Sequence, residues 1–243
     1  KDGVQVDPVV VNVCNFTAPA GDRPALLTSD EVRTLFHEFG HGLHGLFYKG
    51  RYRGTAGTPR DFVELPSQVM ENWSMEPEML KLYAKHYKTG EVIPEPLVAK
   101  MKKAATFGQG FATVEYMAAS LLDMDWHTLT TTKPQDTAAF EKASMAKWGL
   151  IAEIPPRYRS PYFNHIMGGY AAGYYSYIWS AVLDSDAFQA FKEKGNLFDP
   201  ATAAKFRADV PSKGGTEDPA LLYQRFRGRD PKVEPLLEKR GLK

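Results

Sequence analysis

The stretch TSDEVRTLFHEFGHGLHGLF, from Thr28 to Phe47, decides the reading of this chain. Thr28 with Glu31 three residues on is a capping box, in which hydroxyl and carboxylate satisfy backbone donors that the first helical turn leaves free. Behind it Val32, Leu35, Phe36, Phe39, Leu43, Leu46 and Phe47 recur at helical spacing, which predicts an amphipathic helix. Within that helix stands His37-Glu38-Phe39-Gly40-His41. Histidines at i and i+4 lie one turn apart on one face, and both reach a tetrahedral zinc ion at about 2.0–2.1 Å. Glu38 follows the first of them and is placed to take a proton from water at the metal. The competing reading is a polar face on a core helix, its histidines bonded to neighbours. The complete motif on so well-marked a helix favours the metal. Gly40 and Gly42 each cost about 0.8–1 kcal/mol relative to alanine in a helix interior, which suggests close packing against a neighbour.

A catalytic zinc needs a third protein ligand and an open fourth position. A metzincin would carry Gly at position 44 and His at position 47; this chain has His44 and Phe47, so that class is excluded. The third ligand is then expected to be a carboxylate on a following segment. Glu64, 23 residues beyond His41, is the first candidate. Glu71 is its rival, at i+7 on nearly the same helical face. A purely structural role competes as well, because Asp61 and Glu64 are spaced as N-cap and N3 of a helix.

The rest of the chain is predicted to be mainly α. Val9 to Phe16 is short and rich in β-branched residues, which suggests a small strand near the N-terminus. Arg51 to Pro59, rich in Gly and Thr, reads as an edge strand or a loop. From Asp61 to Arg240 the pattern is helical, punctuated by prolines. The stretch from Ser160 to Leu183 lacks Asp, Glu, Lys and Arg, yet its tyrosines, serines, Asn164 and His165 fit a buried protein helix better than a membrane span. The sequence has 243 residues, with 30 Lys+Arg against 29 Asp+Glu and a formal net charge of +1, which argues against a nucleic-acid surface built on bulk positive charge. The single cysteine, Cys14, excludes an internal disulfide scaffold. The start at Lys1, Asp2 and Gly3 has neither an initiator Met nor an apolar leader, which suggests an internal start.

Three motifs carry a resemblance: HEFGHGLH from His37 to His44, RDFVELPSQ from Arg60 to Gln68, and HIMGGYAAGYYSYIW from His165 to Trp179. With NVCNF at Asn12, LLDMDWH at Leu121, PPRYRSPYF at Pro155 and the ending KRGLK, the chain resembles the thimet oligopeptidase–neurolysin family of zinc peptidases along essentially its whole length. The peptidyl-dipeptidase (dipeptidyl carboxypeptidase) branch of bacteria is the most similar. The resemblance implies a zincin-type helical catalytic domain, with residues 1–243 the C-terminal catalytic region of a longer protein. That region would form one wall of a deep substrate channel, and an N-terminal helical half of the same protein would form the other.

The resemblance further implies His37, His41 and Glu64 as ligands of one zinc ion per chain and Glu38 as general base. Tyr177 would stabilise the oxyanion with help from His165, and Tyr170 and Tyr174 would contact substrate. Read without the resemblance, Tyr170, Tyr174 and Tyr177 fall at i, i+4 and i+7, so three phenols share one helical face. Such an aromatic stripe is more often core packing. Gly168, Gly169 and Gly173 would let the entering backbone bend. His44, His86 and His127 read as structural, and Arg157 and Arg159 as surface cations able to meet a carboxylate. The expected activity is hydrolysis of short unstructured peptides with release of dipeptides from the free C-terminus, the peptide pairing along Arg51 to Thr58. The alternatives are an endo-acting oligopeptidase and a non-catalytic peptide- or metal-binding fragment; Glu38, which binding alone does not need, favours an enzyme. The expected location is the cytoplasm, with the periplasm as the other possibility, and neither a membrane nor a nucleic-acid partner is expected.

Overall fold

A computed structural model describes residues 6–243; the start at Lys1 to Gly3 lies outside the described residues. Among the described residues ten α-helices follow in order: α1 Ser29–Phe47, α2 Leu65–Glu71, α3 Pro77–Tyr83, α4 Glu95–Ala105, α5 Gln109–His127, α6 Thr137–Lys147, α7 Ser176–Glu193, α8 Pro200–Asp209, α9 Pro219–Arg227 and α10 Glu234–Lys239. The fold is mainly α, as the sequence pattern predicts, and no sheet is present among the described residues. Nor is any described helix long and apolar enough to cross a membrane.

The N-terminus of α1 is built as its sequence reads. Thr28 Oγ1 accepts from the Glu31 N–H at 3.2 Å, and Glu31 Oε2 accepts from the Thr28 N–H at 2.7 Å. Thr17 also donates to Glu31 through both its N–H and its hydroxyl, which ties the incoming chain to the cap. Gly40 explains how closely α2 approaches α1. A Cβ at that position would meet the Pro66 carbonyl oxygen at 2.4 Å and the Ser67 Cα at 2.5 Å. The two backbones are in contact, and only glycine leaves room for it.

Two cores hold the helices. The first joins Leu65, Val69 and Trp73 to Leu183, Phe188 and Phe191 of α7 and to Leu222, Tyr223 and Phe226 of α9. Trp73 meets the rings of Phe188 and Phe191 edge-on at 4.6 and 4.8 Å and donates from Nε1 to the Leu197 carbonyl at 2.9 Å. Leu65 is completely buried, and a side chain of that size contributes about 1.5–3 kcal/mol by leaving water. The second core packs Tyr116 and Ala119 of α5 against Phe163, Ile166 and Tyr174. Beside the first core, the buried Asp186 carboxylate accepts from Arg227, Arg229 and the Tyr223 hydroxyl, pinning α7 to α9 and to the turn that follows it.

Three expectations from the sequence are corrected. The run from Val9 to Phe16 forms no strand: Val9, Val11 and Val13 are 91%, 75% and 82% exposed. β-branched residues favour a strand only where a second edge supplies hydrogen bonds, and among the described residues none does. The segment from Arg51 to Pro59 contains a short 3-10 turn, Arg53–Thr55, in place of a strand. The Thr55 carbonyl there is already taken by the Gly215 N–H at 2.8 Å, which weakens the expectation that a peptide pairs along it. Finally, Ser160 to Leu183 is not one helix. It opens with the 3-10 helix Ser160–Tyr162, continues as consecutive turns, and becomes α-helical only at Ser176.

Candidate metal centre

Periodicity within α1 places His37 and His41 on one face, with ring centroids 4.9 Å apart and planes nearly perpendicular. The contact of α2 with α1 at Gly40 sets Glu64, the N-cap of α2, against the histidine face of α1. Its carboxylate caps nothing there, so the capping alternative for Glu64 fails. Instead Glu64 Oε2 lies 3.3 Å from His37 Nε2 and 3.1 Å from His41 Nε2. Ligand atoms sharing one tetrahedral ion at bonds of about 2.0–2.1 Å stand about 3.3 Å apart, so the spacing fits a metal held by these three groups. His37, His41 and Glu64 form a group able to hold a metal ion, with all their ligand atoms within 4.8 Å of one another.

Glu64 is 2% exposed. Burial alone would raise its pKa, but hydrogen bonds from His37, His41 and Tyr170 hold it well below the usual carboxylate range. Ser67 Oγ donates to the same Oε2 at 2.9 Å, and the Tyr170 hydroxyl donates to Oε1. The rival carboxylate has a different place. Glu71 Oε1 lies 2.6 Å from His37 Nδ1, on the side of the ring away from Glu64. It therefore orients the imidazole and fixes which nitrogen is free for a metal. Burial presses the His37 pKa down, and its bonds to Glu64 and Glu71 outweigh that, raising it to about 9.

Glu38 and His37 open into a polar cavity of about 460 Å³ that Tyr174, Tyr177 and His165 also line. The shared helical face read for the tyrosines is corrected: Tyr170 and Tyr174 sit in the turns before α7, and only Tyr177 lies in its first turn. The rings converge all the same. Tyr170 stacks on Tyr177 with centroids 5.2 Å apart, and His165 meets Tyr170, Tyr174 and Tyr177 edge-on at 5.9, 5.3 and 6.1 Å. What brings them together is Asp123 of α5. Its two carboxylate oxygens accept from the Ala172 and Tyr174 N–H groups, each at 2.9 Å, across a turn in which Ala172 takes φ of 52°. That left-handed backbone is uncommon for alanine and is held here by its surroundings. His127 buttresses Asp123 from the next turn of α5, at 2.8 Å. Arg60 lies over the Tyr170 ring at 4.5 Å from its centroid.

Burial, the neighbouring Tyr170 and the Glu64 charge push the Tyr177 pKa up, so its phenol keeps its proton. Burial and the Arg157 charge lower that of His165, favouring the neutral imidazole. Tyr174 is 2% exposed, stacked on Tyr116, and lines the cavity. His44 faces away from the cluster. Its Nε2 is buried without a hydrogen-bond partner, and burial together with His41 keeps its pKa low. His86 bonds to Thr89 and is structural. Sequence reasoning missed Asp123 and Arg60 altogether, since both act across large sequence separations.

A helical fold that joins an HExxH helix to a glutamate at the start of the next helix defines the metallopeptidase class. The chain belongs to peptidase family M3, whose profile matches residues 2–242. It is 48% identical over 240 residues to the dipeptidyl carboxypeptidase of Escherichia coli K12, covering 97% of this chain and 35% of that protein. It is 43% identical over 249 residues to oligopeptidase A of the same organism, covering 100% of this chain and 36% of the relative. Saccharolysin of Saccharomyces cerevisiae is 34% identical over 242 residues, covering 97% and 34%. The chain spans about a third of the length of these curated relatives.

Proposed function

We propose that this chain is the C-terminal catalytic region of a zinc peptidase that hydrolyses short unstructured peptides and releases dipeptides from their free C-termini. The observation that carries the reading is Glu38 lining the same cavity as His37 and Tyr177, beside the His37–His41–Glu64 cluster. The two imidazoles and one carboxylate suit zinc, one ion per chain. Zinc when bound there supplies Lewis acidity, polarising the scissile carbonyl and lowering the pKa of water toward about 7.

The side chains do the rest. Glu71 holds His37 in register through Nδ1. Glu38 accepts the proton of the attacking water and later passes it to the departing amine. Tyr177, whose phenol stays protonated, donates to the oxygen on which negative charge develops. His165, edge-on to Tyr177, assists at the same oxygen. Tyr170, whose hydroxyl donates to Glu64, would contact substrate beside the cluster. Tyr174, which lines the cavity, contacts substrate as well. The open side of the cavity is the face on which the remainder of the protein completes a substrate channel.

The name of the first relative supports action at a carboxyl end, and the match to oligopeptidase A supports an endo-acting alternative. A peptide and its C-terminally amidated twin separate them, with the metal-loaded protein and product analysis. Dipeptide release from the free acid alone is the expected result, and chelation is expected to stop it until zinc is restored. Equal cleavage of both peptides favours the endo-acting reading, and hydrolysis indifferent to chelation removes the zinc mechanism.

A further inference from the structure

One face of α5 grips the tyrosine segment. Tyr116 and Asp123 stand at i and i+7, two turns apart, so their side chains project the same way. Ala119, between them, is completely buried in the core that also holds Phe163, Ile166 and Tyr174. Asp123, itself 1% exposed, accepts from the Ala172 N–H through Oδ1 and from the Tyr174 N–H through Oδ2. The Tyr116 hydroxyl donates to the Tyr174 carbonyl and accepts from the Ile178 N–H at 3.3 Å. Two side chains of one helix thus fix the backbone of residues 172–178, where the turns pass into α7.

That passage needs outside support. The first N–H groups of a helix have no partner within it. Helices α1, α6, α8 and α9 are each capped by the side chain of their own N-cap residue. At α7 the N-cap residue, Tyr175, makes no such bond, and no acidic residue stands in the first turn. The cap comes from α5 instead, through the Tyr116 oxygen at the Ile178 N–H. Burial raises the Tyr116 pKa, so the phenol keeps its proton and donates to Tyr174 while it accepts from α7. Asp123 does for the turn what Tyr116 does for the helix. Ala172, at φ of 52°, is the one non-glycine residue with a positive φ among the described residues. A backbone conformation of that kind persists only where its surroundings over-determine it. His127 Nδ1, 2.8 Å from Asp123 Oδ1, holds the carboxylate in place.

The side chain carried on this scaffold is Tyr177, in the first turn of α7. Tyr116 lines the polar cavity as well, but its hydroxyl is committed to main chain on both sides, and Asp123 is buried away from the cavity. We infer that Tyr116 and Asp123 are positioning residues that aim the Tyr177 phenol by fixing the backbone at its root. The inference rests on the peptidase reading, in which Tyr177 is the donor to the developing charge, and adds the groups that aim it. A donor held in advance needs no rearrangement as charge forms, and a displacement of about 1 Å costs about a hundredfold in rate.

The test combines binding and turnover on the metal-loaded chain. Calorimetry compares a phosphinic peptide, whose tetrahedral centre imitates the transition state, with a plain dipeptide. Tyr116→Phe keeps the ring on Tyr174 and removes only the hydroxyl. Asp123→Asn keeps the shape and turns one acceptor into a donor that faces an N–H. Each is expected to weaken the phosphinic peptide, and to lower kcat, by about ten- to a hundredfold, with KM, dipeptide affinity and metal content unchanged. Tyr177→Phe alone should lower kcat by about 10²–10³-fold. Added to Tyr177→Phe, neither Tyr116→Phe nor Asp123→Asn should cost much more, because the group they aim is gone. Hydrogen exchange reads the same variants without turnover. Exchange should quicken at Ala172 and Tyr174 in Asp123→Asn and at Ile178 in Tyr116→Phe, while the rest of α7 stays protected.

Losses that multiply with that of Tyr177→Phe overturn the inference, because Tyr116 or Asp123 then acts independently of Tyr177. Unchanged phosphinic affinity in both single variants overturns it too, as does a loss shared equally by the dipeptide, or one that follows metal content or melting temperature. Each of these leaves the peptidase standing so long as the native chain hydrolyses peptides. A native chain that hydrolyses nothing but binds the phosphinic peptide in the expected pattern refutes the peptidase reading and leaves the positioning. A native chain that neither hydrolyses peptides nor binds the phosphinic peptide refutes both.

Discussion

Helix α1 lines two cavities of similar size, about 500 Å³ along its C-terminal half and about 460 Å³ along its N-terminal half. Thr34, His37 and Glu38 line the second; Gly40, Leu43, His44 and Phe47 line the first. Volume does not distinguish them. What differs is the company each side keeps: Glu71, Arg157, Arg240 and four tyrosines on the polar side, and Val69, Met70, Trp73 and Phe206 on the apolar one. His41 and His44 make the same point with one residue type. His41 faces Glu64, whereas His44 points among hydrocarbon with its Nε2 unbonded and stays neutral. Residues three apart share a helical face, so what turns one histidine into a metal-ligand candidate and the other into a core filler is position along the axis of α1 and the neighbours met there.

The contrast predicts that the two sides fail differently. Glu38→Gln should lower kcat by about 10²–10⁴-fold, the usual contribution of a general base, with metal content and melting temperature unchanged. Trp73→Ala should cost about 3–5 kcal/mol of stability in denaturant titration while the folded fraction still holds its metal. A stability loss in the first or a metal loss in the second would show that the two sides are not independent.

Gly40→Ala should break the separation. The added Cβ meets backbone of Pro66 and Ser67, which cannot rotate away, so α2 must retreat and carry Glu64 with it. A loss of about 1–3 kcal/mol is expected, typical of overpacking, together with weaker metal binding. Unchanged metal affinity would mean that Glu64 is positioned by something other than this helix contact.

These residues also show what could be read from sequence. The capped helix and its histidines were legible because capping and periodicity are local. Glu64 was legible as a carboxylate arriving at the next helix, and the closeness implied by Gly40 was legible as a departure from helix propensity. The tyrosine segment was misread as helix because its spacing is helical while its glycines and the left-handed Ala172 break the backbone into turns. Its convergence depends on Asp123, 49 and 51 residues earlier than the N–H groups it accepts from, and no local pattern encodes that. Val9 to Phe16 was misread for the same reason in reverse: propensity was present and a partner edge was not.

Glu71→Gln sharpens the comparison within the polar side. The amide leaves the ring of His37 beside a weaker acceptor at Nδ1, and orienting groups of this kind typically change metal affinity by about 10–100-fold. Competition with a metal indicator measures it. No change would show that helix packing alone orients His37.

The smallest effect belongs to the part both sides share. Thr28→Ala removes one cap bond at the start of α1 and should cost about 1 kcal/mol. Glu31 gives that cap a pH dependence. The Thr28 N–H, then the hydroxyl and N–H of Thr17, lower its pKa from 4.5 to about 2. A carboxylate depressed in the folded state contributes stability that is fully present above its unfolded value and is lost as pH falls through its folded one. The cap should therefore weaken between pH 4.5 and 2, and Glu31→Gln should flatten that part of the acid limb of stability. Because the cap lies two turns before His37, the Glu71→Gln and Trp73→Ala variants should lose stability over the same pH window as the native chain. An acid limb that Glu31→Gln leaves unchanged would assign it to other carboxylates, Asp186 first among them, whose bonds to Arg229, Arg227 and Tyr223 overcome burial to lower its pKa as well.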